Sequence, residues 1–173
     1  AAPTDMAAFD FQVSREAEGW PDETQLEALA SDVIRVAALF LEKEEGQPFP
    51  AQPAELSLVF TDDAAIREIN AEWRDKDKPT NVLSFPAFPV TPGAMPGPML
   101  GDIVIARETV AREAGELEKS FDDHLTHLLV HGFLHLLGYD HIRDGDATVM
   151  ETLEVGILGK LGIPDPYIIE DGS

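Results

Sequence analysis

Residues 120–141 read SFDDHLTHLLVHGFLHLLGYDH, and the rest of the chain is best understood outward from this stretch. Ser120 with Asp123 three positions later has the form of a capping box, which starts a helix at Phe121. The apolar run carries that helix to about Leu137, where Gly138 stops it. At about 100° per residue, His124, His127, His131 and His135 fall on one stripe of the helix. His131 and His135 stand one turn apart, so their imidazoles can converge on a single point. Gly138 permits a reversal of direction, and His141 just beyond it can return to the other two.

The flanking sequence supplies strands and further helices. Phe9–Val13 alternates like a half-buried strand. Pro21 opens a helix whose face carries Leu26, Leu29, Ala30, Val33, Ala37, Phe40 and Leu41, and residues 46–53 break it. Leu56–Phe60 reads as a strand, and Thr61-Asp62-Asp63 caps a short helix with Ile66 and Ile69 inward. Residues 70–80 are polar and turn-like, and Val82–Phe85 and Ile103–Ala106 are strands. Arg107–Glu118 is a charged helix. A last helix spans about Asp146 to Leu161, with Met150, Leu153, Ile157 and Leu161 inward, and ends at Gly162 and Pro164. The pattern predicts a single α/β (α+β) domain over residues 1–173. About four strands form a mixed sheet packed with about five helices, and a three-histidine metal site lies at the end of a central helix.

Composition narrows the function. The chain has 173 residues, 12 basic and 33 acidic side chains for a formal charge of −21, 44% apolar residues and no cysteine. Zero cysteine excludes a disulfide scaffold, thiolate zinc fingers, iron–sulfur ligation and a cysteine nucleophile, and it fits a reducing compartment. Ala1–Glu18 lacks the basic-then-apolar order of a secretory leader, so a cytoplasmic location is expected. Residues 79–101 carry no charge but hold six prolines, which breaks any membrane helix into a short strand and a loop. The acidity repels polyanions at long range, so a nucleic-acid partner has to meet a local basic patch.

Three neutral imidazoles without thiolate suit Zn2+ or a similar borderline metal. Structural zinc sites are usually closed by four protein ligands, whereas three leave a position for a water made nucleophilic by the metal. The spacing also has the outline of the metzincin signature, HExxHxxGxxH. Gly132 stands where that signature has its glutamate base, which disfavours peptide hydrolysis by that route. His124 and His127 read first as packed helical residues, with a hydrogen bond behind the metal as the functional option. Met150 reads as core, and Asp140 as a turn residue with a minor claim to be a general acid.

Four of the twelve basic residues, Arg67, Arg74, Lys76 and Lys78, lie within positions 67–78. In so acidic a chain this is the candidate anion site. Arg74 leads it, since guanidinium suits bidentate contact with phosphate. The proline-rich segment 86–98 reads as a surface connector that could border such a site.

Taken together, HGFLHLLGYDHI, NAEWRDKDKPTNVLSFP and the LGDIVI strand resemble the YbeY family of bacterial endoribonucleases, or ribosomal RNA maturation factors. The likeness is clearest over residues 55–167. It implies a zinc-dependent hydrolase of single-stranded RNA, acting on the small-subunit rRNA 3′ end and in ribosome quality control. It places one Zn2+ per chain on His131, His135 and His141, and the functional arginine on Arg74. Single-stranded rRNA, the small ribosomal subunit and its proteins are the implied partners, with no membrane. Two other readings stay open: an assembly factor with a mainly structural zinc, or a metallohydrolase of another phosphoester or amide.

Overall fold

Strand β2 (Ala54–Thr61) shows how the sheet is built, because its residues alternate between two covered faces. Leu56, Leu58 and Phe60 are buried on one side, and Val59 packs on the other. The computed structural model describes residues 9–140 and 144–167. Beside β2 lie β1 (Phe9–Arg15) and β4 (Met99–Ala106), both parallel to it. The edge strand β3 (Val82–Pro86) pairs antiparallel with β4, giving the order β1-β2-β4-β3. Proline at position 86 is tolerated because β3 has a neighbour on one side only.

The parallel pairs require crossovers, and helices supply them. Helix α1 (Glu23–Glu45) links β1 to β2, while α2 (Asp63–Arg74) and β3 separate β2 from β4. After β4 come α3 (Arg107–Glu116), α4 (Phe121–Leu136) and α5 (Asp144–Lys160). Among the described residues, a mixed four-stranded sheet with five helices is the expected architecture. The main core joins Leu56, Leu58, Phe60, Ile103 and Ile105 of the sheet to α1, α4 and α5. On the opposite face Ile66 of α2 packs on Leu83, Val104 and Ala106. Helix α4 touches β3, β4, α1, α3 and α5. That enclosure explains why α4 is apolar outside its acidic first turn and its histidine stripe.

Local caps fix the helix starts. Asp22 rather than Pro21 is the cap of α1, and its side chain accepts from the Gln25 amide at 2.8 Å while Gln25 reaches back. Asp62 accepts from the Ala65 amide at 2.8 Å. The first turns of α2 and α3 also cap each other: Asp63 accepts from the amide and hydroxyl of Thr109, and Glu108 accepts from the Asp63 amide. Such contacts satisfy amides that have no partner inside their own helix.

Helix α2 runs on to Arg74, whereas the polar composition of residues 70–80 predicts a turn from Asn70. The reason is that Asn70 faces inward, 3% exposed, and donates from Nδ2 to the Lys78 carbonyl at 2.9 Å. A polar side chain thus occupies an interior helical position and ties down the following loop. Asp75, in the left-handed conformation at φ 59°, ends the helix. Helix α5 begins at Asp144, two residues earlier than expected, and Met150 is buried in the core as read from its spacing.

Candidate metal and phosphodiester site

Along the stripe of histidines on α4, His131 and His135 line a cleft with residues of β3, and His127 and His131 meet α5. Ser120 starts the helix by accepting from the Asp123 amide at 3.0 Å. At the other end Gly138 adopts φ +99°, and a Cβ there would stand 2.1 Å from the Val90 carbonyl oxygen. Glycine therefore serves twice, ending the helix and letting the proline-rich segment close over it. Gln47, buried, holds that segment by accepting from the Gly93 amide and donating to the Ala94 carbonyl.

His131 and His135 point their Nε2 atoms at each other across 3.2 Å. Two nitrogens bound to one tetrahedral zinc at its usual bond length stand about 3.3 Å apart. The pair therefore matches two corners of such a site. His141 lies outside the described residues, and among those described no group of three His, Asp or Glu side chains is arranged to hold a metal ion.

Behind the pair sits a carboxylate that sequence reasoning missed. Glu154 of α5 is 0% exposed. Its Oε2 is 2.7 Å from His131 Nδ1 and its Oε1 is 2.6 Å from His127 Nε2. The Tyr167 hydroxyl donates to the same Oε1. Burial pushes this carboxyl upward, yet hydrogen bonds from His127, His131 and Tyr167 prevail and hold it at about 2. Glu154 is thus ionised at neutral pH. Tyr167 is pushed far up by burial and by Glu154, so its phenol keeps its proton and remains a donor. With an anionic acceptor at Nδ1, His131 carries its proton there and offers the Nε2 lone pair toward His135. The signal in the sequence was slight: an acidic residue on the same α5 face as Met150, Leu153 and Ile157.

His124, one end of the stripe, is buried and 2.8 Å from Glu113 Oε1 of α3. The same oxygen accepts from Asn81 Nδ2 at 3.0 Å, so this histidine anchors the start of β3 to the helices. Burial lowers its pKa, against the opposing pull of Glu113. Of His124 and His127, it is His127 that is linked to His131, through Glu154.

Arg74 reaches the same region from the opposite side of the sheet edge. Its Nη2 donates to the Ser84 carbonyl at 2.7 Å, and its guanidinium carbon lies 5.0 Å from the Phe85 ring centre. The outward carbonyl of an edge strand thereby orients the arginine. A cleft of about 750 Å3 has Arg74, Lys76, Asn81, Ser84, His131 and His135 in its walls. Pro86, Pro89 and Val90 border it as well, so the proline-rich connector is part of the rim, and Asp140 lines it too. Of the other basic residues, Arg67 is paired with Asp77 at 2.8 Å.

Gly132 clarifies the departure from the metzincin pattern. A Cβ there would meet Ile103 side-chain carbons and Ser84 Oγ at 3.1 Å. The position faces the sheet, where α4 and β4 approach closely, and a longer side chain would have to displace Ile103.

A family profile described as Endoribonuclease YbeY matches residues 2–162. Curated proteins named Endoribonuclease YbeY are similar along nearly the whole chain. That of Agrobacterium fabrum is 70% identical over 162 residues, covering 94% of this chain and 96% of its own. That of Rhizobium etli is 67% identical over 166 residues, covering 96% and 97%. Among solved structures, the solution structure of a Thermotoga maritima protein aligns with a TM-score of 0.53 at 21% identity, over 94% of this chain and 99% of that one. At that identity the likeness concerns the fold.

Proposed function

The chain belongs to the YbeY family of endoribonucleases, and from that premise we propose that it cleaves single-stranded ribosomal RNA with one zinc ion held by His131, His135 and His141. The physiological setting is maturation of the small-subunit rRNA 3′ end and ribosome quality control in the cytoplasm, with the small subunit as partner. Among the described residues no helix is long and apolar enough to cross a membrane.

One observation carries the reading: the paired Nε2 atoms of His131 and His135 open into the same cleft as Arg74. A zinc ion held by these histidines would supply Lewis acidity and activate water at neutral pH. The residues do the rest. Glu154 keeps His131 in the tautomer that presents Nε2 to the cleft. Attack at phosphorus concentrates negative charge on the non-bridging oxygens, and the Arg74 guanidinium, steadied by the Ser84 carbonyl, is placed to stabilise it. Lys76 adds a second positive charge to the wall. No carboxylate stands at position 132, which argues for phosphodiester rather than peptide chemistry.

The test pairs metal analysis of the purified protein with cleavage of a single-stranded rRNA fragment. Wild type and His135→Ala are compared with and without chelator. Zinc near one equivalent, and activity lost in both the variant and the chelated sample, are expected. Equal cleavage in every sample would trace the activity to a contaminant and remove the proposal.

A further inference from the structure

We infer that Trp73, with Phe85 behind it, forms a stacking subsite for an unpaired base of the RNA strand that runs out of the cleft past Arg74. The inference rests on the RNA-cleaving reading of the cleft.

Trp73 continues the inward stripe of α2 after Ile66 and Asn70, and the strand it reaches there is β3, at the edge of the sheet. Its indole meets the Phe85 ring edge-to-face, with centroids 6.4 Å apart, and still remains 65% exposed. Covering Phe85 accounts for one side of the ring, and the rest of a large apolar surface is left in water. The second observation is continuity with the site. The Phe85 ring that touches Trp73 also lies under the Arg74 guanidinium, and that guanidinium is a wall of the cleft holding His131 and His135. Cleft, cation and aromatic platform therefore form one uninterrupted path across the edge of β3.

Charge favours a nucleic-acid occupant over another apolar surface at this place. Arg74, Lys76 and Lys78 follow Trp73 within five residues of a chain whose net charge is −21. Phosphates held by the cations and a base laid on the indole is the pattern of single-strand binding surfaces. Bases already stacked in a duplex have no face to offer, so the subsite would discriminate between single and double strands.

The chain has two tryptophans, which makes the test direct. Trp20 is 3% exposed, donates from Nε1 to the Thr61 carbonyl at 2.8 Å and is packed by Phe60 and Phe121, so it is a silent background. Zinc-loaded protein is mixed rapidly with an unlabelled single-stranded oligoribonucleotide, or with the same strand annealed to its complement, and tryptophan emission is followed. The single strand is expected to quench emission and the duplex to leave it unchanged. In cleavage assays Trp73→Ala is expected to raise KM roughly 5- to 100-fold, the range for one stacked base. The rate at saturating RNA should move no more than about twofold. Trp73→Phe, which keeps an aromatic face, should recover most of the loss. A KM for Trp73→Ala within about twofold of wild type, or Trp73→Phe as impaired as the alanine variant, overturns the inference. Wild-type protein that fails to cleave single-stranded RNA at all would instead sink the nuclease proposal itself, so the two failures are distinguishable.

Discussion

Exchanging Glu154 for glutamine keeps the size of a fully buried side chain and removes its charge, and the consequence for the metal site can be worked through atom by atom. In the native arrangement two carboxylate oxygens face ring nitrogens at 2.6 and 2.7 Å, one on His127 and one on His131. Both oxygens accept. Glutamine has one accepting oxygen and one donating NH2. If the NH2 faces His131 Nδ1, that nitrogen must become the acceptor, its proton moves to Nε2, and the lone pair toward His135 is gone. If the oxygen faces His131, the tautomer survives but the negative charge that raises ligand basicity is lost, and Tyr167 and His127 meet an NH2 group. Losing a hydrogen-bonded partner behind a metal ligand weakens affinity roughly 10- to 100-fold. That corresponds to about 1.4–2.8 kcal/mol. The assay is zinc competition against a chromogenic chelator, with circular dichroism to verify the fold, and Glu154→Asp serves as a partial rescue that keeps the charge. A Glu154→Gln protein that binds zinc within about twofold of wild type would refute the reasoning.

Three further outcomes are expected. Arg74→Ala should lower kcat/KM for RNA by roughly 100- to 1,000-fold, as for loss of one charge-stabilising donor, while zinc content measured on the same sample stays unchanged; unaltered cleavage would remove Arg74 from the chemistry. His124 is held below its ordinary value of 6.5 by burial, against Glu113 and with Lys119 and His127 adding to the lowering. The unfolded chain therefore binds this proton more readily, and stability should fall as pH drops through about 6.5. Melting temperatures followed from roughly pH 8 to pH 5 should decline less steeply for His124→Gln than for wild type, and parallel curves would contradict this. Gly138→Ala combines a left-handed backbone with a clash against the Val90 carbonyl, so a loss of roughly 1–3 kcal/mol is expected in denaturant unfolding; a stability equal to wild type would mean that the turn relaxes freely.

What the sequence disclosed and what it withheld follow from the range of the interactions involved. The α4 helix, its serine cap and the convergence of His131 with His135 are consequences of spacing within a few turns, and they were legible. So was Arg74, because four basic residues so close together are conspicuous in an acidic chain. Glu154 was not, since its partners lie 23 and 27 positions away and meet it only when α5 packs on α4. Asn70 misled for a related reason: its polarity suggests a turn, and only the carbonyl of Lys78 in the returning loop explains why it is inside. The strand order was also beyond local reading, as β4 inserts between β2 and β3. The metzincin comparison is the subtler case. Residue type alone said only that Gly132 cannot act as the metzincin base, whereas its surroundings say what the glycine allows: it lets α4 settle against Ile103 and Ser84.

The opposition between a −21 chain and a polyanionic substrate is resolved by distance. At physiological ionic strength charges more than about 8 Å apart are largely screened. The acids spread over the surface therefore act mainly as a weak deterrent to indiscriminate binding. At contact range the sign reverses, because Arg74 and Lys76 line the cleft while the nearby Asp77 is engaged by Arg67. Glu154, the carboxylate buried behind His127 and His131, is engaged by those two imidazoles and by Tyr167. Affinity must then come from a few close contacts rather than from the overall field, and those contacts require a strand that can bend into a cleft between an edge strand and a helix. On the proposed reading, binding energy is reserved for RNA that can thread between Arg74 and the histidine pair, and a duplex passing nearby contributes little.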